Sequence, residues 1–337
     1  MVTRKRVVAL VLLVALCLPL LPSCGRTRSY TETFLAMDTA FTVTIYTPDR
    51  QLAKQQFAIC RTRLAEWDRA LWSRQVPESE IARLNAGDKD LSLDDRTRAL
   101  LEKSIAVKKA TGGAFDVTLA PLSDLWQTCA AEARLPTDAE LSAARSRSGG
   151  EIALSGNRLT VDPGTQIDLG GIAKGEAVAL LCRALAASGL SGGLVSCGSN
   201  VAVFGEKPYG KPFRVAVRDP RDANRSVGTV ILREGEILSV SGDYERFFTV
   251  NGKRYHHILD PATGYPAESG LSSVAVIAKD GGIADALSTA LFVLGEENAR
   301  KLYDPENMTD MTFEAVFVTS EGELHTTPGM EDLFTAS

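Results

Sequence analysis

The chain has 337 residues, 45% hydrophobic and 23% charged, with a formal net charge of −5. This is ordinary globular composition, long enough to bury one large core or two moderate ones. Beyond Arg4-Lys5-Arg6 no basic run occurs, which argues against nucleic acid as a partner.

Arg4, Lys5 and Arg6 precede an apolar run, Val7 to Leu21, broken only by Pro19. The run is short for a membrane span and has the layout of a secretory leader over residues 1–23. Leu21-Pro22-Ser23-Cys24 resembles a bacterial lipobox, with Cys24 as the lipid acceptor and residues 25–29 as a short polar tether. The expectation is an exported protein held by lipid at the periplasmic face of the inner membrane, its remaining chain (30–337) more acidic once three cations leave with the leader. Cys60, Cys129, Cys182 and Cys197 are too sparse for a disulfide framework and match no zinc spacing, so buried free thiols are expected.

Tyr30 to Thr47 alternates and is rich in Thr, Phe, Val and Ile, as in a strand or hairpin. Asp49 to Trp72 carries apolar residues at helical spacing, and a loop through Glu80 leads to a short turn ending at Leu84-Asn85-Ala86-Gly87. Asp94 to Thr111 is a helix stopped by Gly112-Gly113, and further helices are predicted from Leu122 to Ala133 and Thr137 to Arg147. Glu151–Leu154 and Arg158–Val161 pair across Ser155-Gly156-Asn157; Ile167 to Gly171 ends a strand before a helix from Ile172 to Ser188. Leu194–Ser196 and Val201–Phe204 are short buried strands, and the chain from Phe213 to Leu259 is β in character. An apolar strand (Leu271–Ala278), helices at Gly282–Leu294 and Glu296–Tyr303, and a hairpin (Phe313–Ser320, Glu323–Thr326) complete the pattern. Runs of strands with irregularly placed helices predict an α+β fold with largely antiparallel sheets, built as one globular unit.

Three stretches could carry chemistry. His256-His257 closes a strand-like run just before the turn Asp260-Pro261-Ala262-Thr263-Gly264, and holds two of the three histidines. A titratable ring mounted rigidly where a strand breaks suits acid–base work; a hairpin corner with surface histidines is the plain alternative. Asp285 and Thr289 lie i and i+4 on a helix, an oxygen-only pair suited to Mg²⁺, although an Asp near a helix start is also an ordinary cap. Asp168-Leu169-Gly170-Gly171-Ile172-Ala173-Lys174-Gly175 brings glycines and a lysine to a helix start, where backbone and Lys174 can reach a phosphate; its spacing is neither a Walker A loop nor a dinucleotide fingerprint.

These stretches, with Ala36-Met37-Asp38-Thr39, Ser79 to Asn85 and Gly112 to Thr118, follow one another as in a single family. The chain resembles the ApbE family of flavin transferases from about Tyr30 to Leu324. The resemblance implies an ApbE-like, T-fold-like architecture and Mg²⁺-dependent transfer of the FMN half of FAD to a threonine or serine hydroxyl of another protein, releasing AMP. Partners implied are subunits of membrane redox complexes of the sodium-translocating quinone reductase (Nqr) and Rnf types. By motif position, Met37, Trp72, Ala114, Phe115, Asp116, Asp168, Lys174 and Ile258 would bind FAD. Asp285, Thr289 and a carbonyl of the Gly171 turn would hold Mg²⁺, and His257 would be catalytic, with His256 outside the motif. Trp72 stands where a tyrosine is common, and Asn85 resembles the asparagine typical of the transferases.

The residues suit that chemistry. Phosphoryl transfer needs charge neutralisation, an aligned nucleophile and a base. A neutral imidazole, with an unperturbed pKa near ~6.5, can accept the hydroxyl proton. Two other readings use the same residues: a Mg²⁺-dependent FAD pyrophosphatase giving free FMN and AMP, and a non-enzymatic FAD-binding lipoprotein. The second leaves the base and metal residues without purpose.

Overall fold

The computed structural model describes residues 26–88, 90–303 and 311–337, so the leader and Cys24 lie outside the described residues. The first alternating run forms a hairpin, β1 (Arg28–Ala36) with β2 (Thr39–Thr47), in antiparallel register from Arg28 opposite Thr47 to Ala36 opposite Thr39. Its two-residue turn holds Met37 and Asp38 at φ 50° and 55°, the left-handed region that matches the twist of the flanking strands.

Helix α1 (Arg50–Glu66) starts at Asp49, whose carboxylate accepts from the N–H groups of Gln51 and Leu52. Its predicted continuation to Trp72 is a π-helical segment, Trp67–Trp72. The i→i+5 pitch sets both indoles on one side, where they are buried with centroids 5.7 Å apart. Then come α2 (Glu80–Asn85), α3 (Asp95–Ala110), α4 (Ala120–Ala131), α5 (Asp138–Arg145) and the hairpin β3 (Ile152–Ser155) with β4 (Arg158–Val161). Side-chain caps close the starts of α2, α3 and α5 (Ser79, Asp94 and Thr137).

Ile167 to Leu169 is not a strand. It runs extended outside any sheet because other groups satisfy its backbone: Asp168 N–H donates to the Val117 carbonyl, and Asn85 takes both sides of the Ile167 peptide.

After α6 (Ala173–Ala186) come β5 (Gly192–Cys197), β6 (Asn200–Gly205), β7 (Phe213–Arg218), β8 (Ser226–Leu232), β9 (Ile237–Gly242), β10 (Phe247–Val250), β11 (Lys253–His256) and β12 (Leu271–Ala278). Helix α7 (Gly281–Tyr303), β13 (Glu314–Thr319), β14 (Leu324–Thr326) and β15 (Phe334–Ala336) finish the chain. Gly295, at φ 71° and ψ 165°, breaks α7 between the two predicted helices.

The main sheet has eight strands in the order β1-β2-β5-β6-β9-β12-β13-β14, each neighbour antiparallel. Helices α6 and α7 cover one face and β15-β8-β7 covers the other. Every residue of β12 is therefore buried: Val274 and Val276 face the helices, Ala275 and Ile277 the small sheet. Double burial is why this strand has a continuous apolar run rather than alternation. A third cluster joins Leu122 and Trp126 of α4 to Leu141 of α5 and to Phe248 and Tyr255 of the β10–β11 hairpin.

Helices α6 and α7 cross where two glycines meet. A Cβ on Gly175 would lie 2.1 Å from the Gly281 carbonyl oxygen and 2.6 Å from Asp285 Cβ. Backbone cannot step aside as a flexible side chain would. Gly175→Ala is expected to lower unfolding free energy by about 1–3 kcal/mol or more through overpacking, measured by urea denaturation against the parent chain.

Candidate functional site

Asp285 lies in the second turn of α7 and is buried, but it does not cap its helix. Asp280 does that, accepting from the Ile283 N–H. Asp285 Oδ2 instead accepts from the Gly175 N–H of α6 (2.9 Å), and Oδ1 from Asn200 Nδ2 (3.3 Å) and the Ser239 hydroxyl (3.2 Å). All three donors are neutral, so the carboxylate is held in place without a cationic partner among them. Burying such a charge is costly unless its environment compensates, and hydrogen bonds alone do so incompletely.

Thr289 is one turn further along. Its hydroxyl lies 3.2 Å from that of Ser241, which is 2.8 Å from that of Ser288. Ser239 and Ser241 alternate on β9, so both face α7. The Gly171 turn closes against this face: a Cβ there would lie 3.1 Å from the Phe115 ring and 3.8 Å from Thr289 Oγ1. Because Gly175 N–H turns to Asp285, it does not donate to the Gly171 carbonyl four residues back, and no other backbone N–H among the described residues does.

Oxygen-bearing groups thus gather from two elements, the Asp285 carboxylate and Thr289 hydroxyl of α7 and the turn at Gly171, whose carbonyl accepts from no backbone N–H among the described residues. Asn200 Oδ1, on the residue that contacts Asp285, is buried without a hydrogen-bond partner among the described residues. Such a donor set fits a hard divalent cation. No group of three or more His, Cys, Asp or Glu side chains gathers among the described residues, as expected if one carboxylate serves with neutral oxygens.

The two histidines differ sharply. His256 Nε2 donates to the Ala267 carbonyl (3.0 Å), Nδ1 accepts from the Ile258 N–H (3.3 Å), and the ring meets Phe292 edge-on. Both nitrogens are used. His257 Nδ1 lies 3.2 Å from the Arg246 carbonyl, which can only accept, so Nδ1 carries the proton and Nε2 keeps its lone pair. Desolvation by the surrounding chain, then the Arg246 charge, push its pKa down to about 3; the Arg246 hydrogen bond opposes this, and the His256 and Lys174 charges add smaller downward effects. The ring also meets solvent, which screens those charges, and the imidazole is neutral at pH 7 either way.

The turn beyond is anchored. Trp126 Nε1 donates to the Gly264 carbonyl (2.8 Å), and Arg145 to that of Ala262 (2.8 Å). Lys174 donates to the Gly170 carbonyl, in the same turn that closes against Thr289 through Gly171. Asp168 accepts from Gly170 N–H (2.9 Å) and pairs with Arg74 (3.3 Å). Met37 is half-buried at the β1–β2 turn, its N–H donating to Asp68 (3.0 Å). The next residue but one, Thr39, approaches Gly198 in the loop before Asn200.

Ala114 is half-buried and packs against the core, while Phe115 and Ile258 are buried behind the Gly171 turn and the His257 backbone. Two residues expected to bind FAD, Trp72 and Asp116, and also Asn85, have contacts of their own. Trp72 lies in the core against Trp67, with its Nε1 unpaired, so its ring is not offered to an open site. The Asp116 carboxylate is spent on Thr118 and Lys108, and Asn85 clamps the Ile167 backbone.

Residues 37–313 match the sequence profile of the ApbE family. The chain belongs to the ApbE family. It is 36% identical over 227 residues to the FAD:protein FMN transferase of Vibrio cholerae, covering 65% of this chain and 68% of that one. The Treponema pallidum protein of the same name is 32% identical over 301 residues, covering 82% and 83%. Among solved structures, an ApbE protein from Thermotoga maritima matches with a TM-score of 0.78 at 31% identity, over 90% of this chain and 98% of that one. The flavinyl transferase ApbE of Pseudomonas stutzeri gives 0.78 and 31%, over 94% and 99%. As in those relatives, the α+β architecture is the ApbE fold, and its mixed helix and strand order explains the expectation from sequence.

Asn200, Ser239, Ser241, Ser288 and Arg74 escaped the sequence reading. The alternation of Ser239 and Ser241 on a buried strand was the one available signal. In this ApbE chain burial lowers the pKa of both His256 and His257. The unfolded chain then binds protons that the native state refuses, so stability falls as pH drops through the ordinary histidine range. Unfolding free energy should decline from about pH 7 to about pH 5.5, above most carboxylate titration. Urea denaturation at both pH values, with His256→Gln showing the smaller decline, checks this.

Proposed function

We propose that this ApbE chain is an FAD:protein FMN transferase that moves the FMN half of FAD to a threonine or serine hydroxyl of a partner protein, releasing AMP. The observation that carries the reading is the Nε2 of His257, which keeps its lone pair because the Arg246 carbonyl engages Nδ1. A hydroxyl brought to Nε2 gives up its proton as its oxygen attacks the FMN phosphorus. The new O–P bond replaces the pyrophosphate P–O bond, and AMP leaves with the bridging oxygen. The imidazole is neutral before the reaction, so it is ready to accept. Lys174, at the first turn of α6, places positive charge where the phosphates must lie.

Asp285, Thr289 and the Gly171 carbonyl would hold Mg²⁺ here. When bound, that ion would neutralise charge on the pyrophosphate. Asn200 and Ser239 keep the carboxylate oriented, and Ser241 does the same for the Thr289 hydroxyl.

The leader and Cys24 support an exported enzyme anchored by lipid, facing the periplasm at the inner membrane. An enzyme placed there meets exported segments of membrane redox complexes, and Nqr- and Rnf-type subunits are the acceptors proposed.

His257→Ala should retain FAD binding and lose transfer by on the order of 10²–10⁴. Mass spectrometry of an acceptor incubated with FAD would show the loss as missing FMN mass. Transfer at the parent rate would remove His257 from the mechanism, and free FMN formed without acceptor would favour the pyrophosphatase. Chelation of divalent metal should stop transfer and added Mg²⁺ restore it; turnover that persists in chelator would rule out the metal role.

A further inference from the structure

Arg74 follows the π-helical segment in a loop that its neighbours close tightly. The Ser73 hydroxyl accepts from the N–H groups of Gln75 and Val76, and the Ser79 hydroxyl donates back to the Ser73 carbonyl. From this base the largely buried guanidinium reaches two carboxylates on different segments. Its Nε lies 3.3 Å from Asp168 Oδ2, and one terminal nitrogen 2.5 Å from Asp124 Oδ1 of α4. A planar fork can serve two acceptors at a fixed angle, which a single ammonium cannot do with the same rigidity.

The two oxygens of Asp168 have separate tasks. Oδ2 meets Arg74, while Oδ1 accepts the Gly170 N–H at 2.9 Å. Gly170 in turn presents the carbonyl that Lys174 grips, and the next residue, Gly171, lies against Thr289, where a Cβ would be 3.8 Å from the hydroxyl oxygen. The turn that places both the lysine and that carbonyl has no strand on either side to hold it.

We propose that Arg74 is a positioning residue for this turn, acting through Asp168 to set Lys174 and the Gly171 carbonyl for the FAD phosphates and their cation. The inference rests on the flavin-transfer reading. Arg74 touches no reacting atom in it. Groups that orient a ligand from behind commonly change affinity about 10–100-fold when removed, and an effect of that size is expected here.

The test is a double-mutant cycle of Arg74→Gln and Asp168→Asn, read by binding. FAD affinity is measured by flavin fluorescence, and cation affinity by electron paramagnetic resonance of Mn²⁺ without FAD. Arg74→Gln should weaken both, Arg74→Lys should recover part of the loss, and the double variant should bind no worse than the weaker single one. Unchanged affinities in Arg74→Gln, or losses that multiply in the double variant, would overturn the proposal. If Arg74→Gln does not fold, Asp124→Asn frees the far anchor and leaves the Asp168 pair. A smaller loss of Mn²⁺ affinity is then expected, and parent-like affinity overturns the proposal. A parent chain that binds neither FAD nor Mn²⁺ removes the functional reading and this inference together; parent binding with an indifferent Arg74 removes only the inference.

Discussion

The hydrogen bond from the Gly175 N–H to the Asp285 carboxylate is the constraint on which the site depends. It forms only because two glycines let α6 and α7 approach at backbone distance. The bond fixes the carboxylate and diverts an N–H that would otherwise serve the Gly171 carbonyl. One close crossing therefore acts on two oxygens, one on α7 and one in the turn before α6. Asn200 and Ser239 extend the arrangement across β6 and β9, joining helix layer to sheet.

The β10–β11 hairpin supplies the other half. His256 spends both ring nitrogens holding the strand end to Ala267 and Ile258, and in doing so aims its neighbour outward. Adjacent residues in extended chain point to opposite sides, so a half-buried His256 leaves His257 exposed. The half-buried histidine and the exposed one are two sides of one strand end. Trp126 and Arg145 then prevent the following turn from drifting.

Local features of the fold were legible because they rest on local physics. Asp49, Ser79, Asp94 and Thr137 start helices where their oxygens can meet orphan N–H groups, and Gly295 breaks one where its φ is positive. The unbroken apolar run of β12 reported burial on both faces. Asp285 and Thr289 were legible as a pair, since i and i+4 meet on any helix. Their partners were not: Ser239 is 46 residues from Asp285 and Arg74 is distant from Asp168. The packing of Trp72 on Trp67 was not legible, because an aromatic beside a ligand motif looks the same in sequence whatever it faces. The choice of His257 over His256 came from resemblance; the difference between the two rings is visible only in their hydrogen bonds.

The strand order carries a further consequence. The main sheet sets β2 beside β5 and β6 beside β9, so neighbours in space are distant along the chain. High contact order of this kind delays assembly, because loops must close before the pairings they allow can compensate. The carboxylate and hydroxyls gathered around Asp285 come from β6, β9 and α7 and meet only after those closures. A partly folded chain has helices and hairpins but no place for a dinucleotide. Ligand occupancy is thereby a proofreading signal for the fold itself, stabilising the finished molecule alone by mass action.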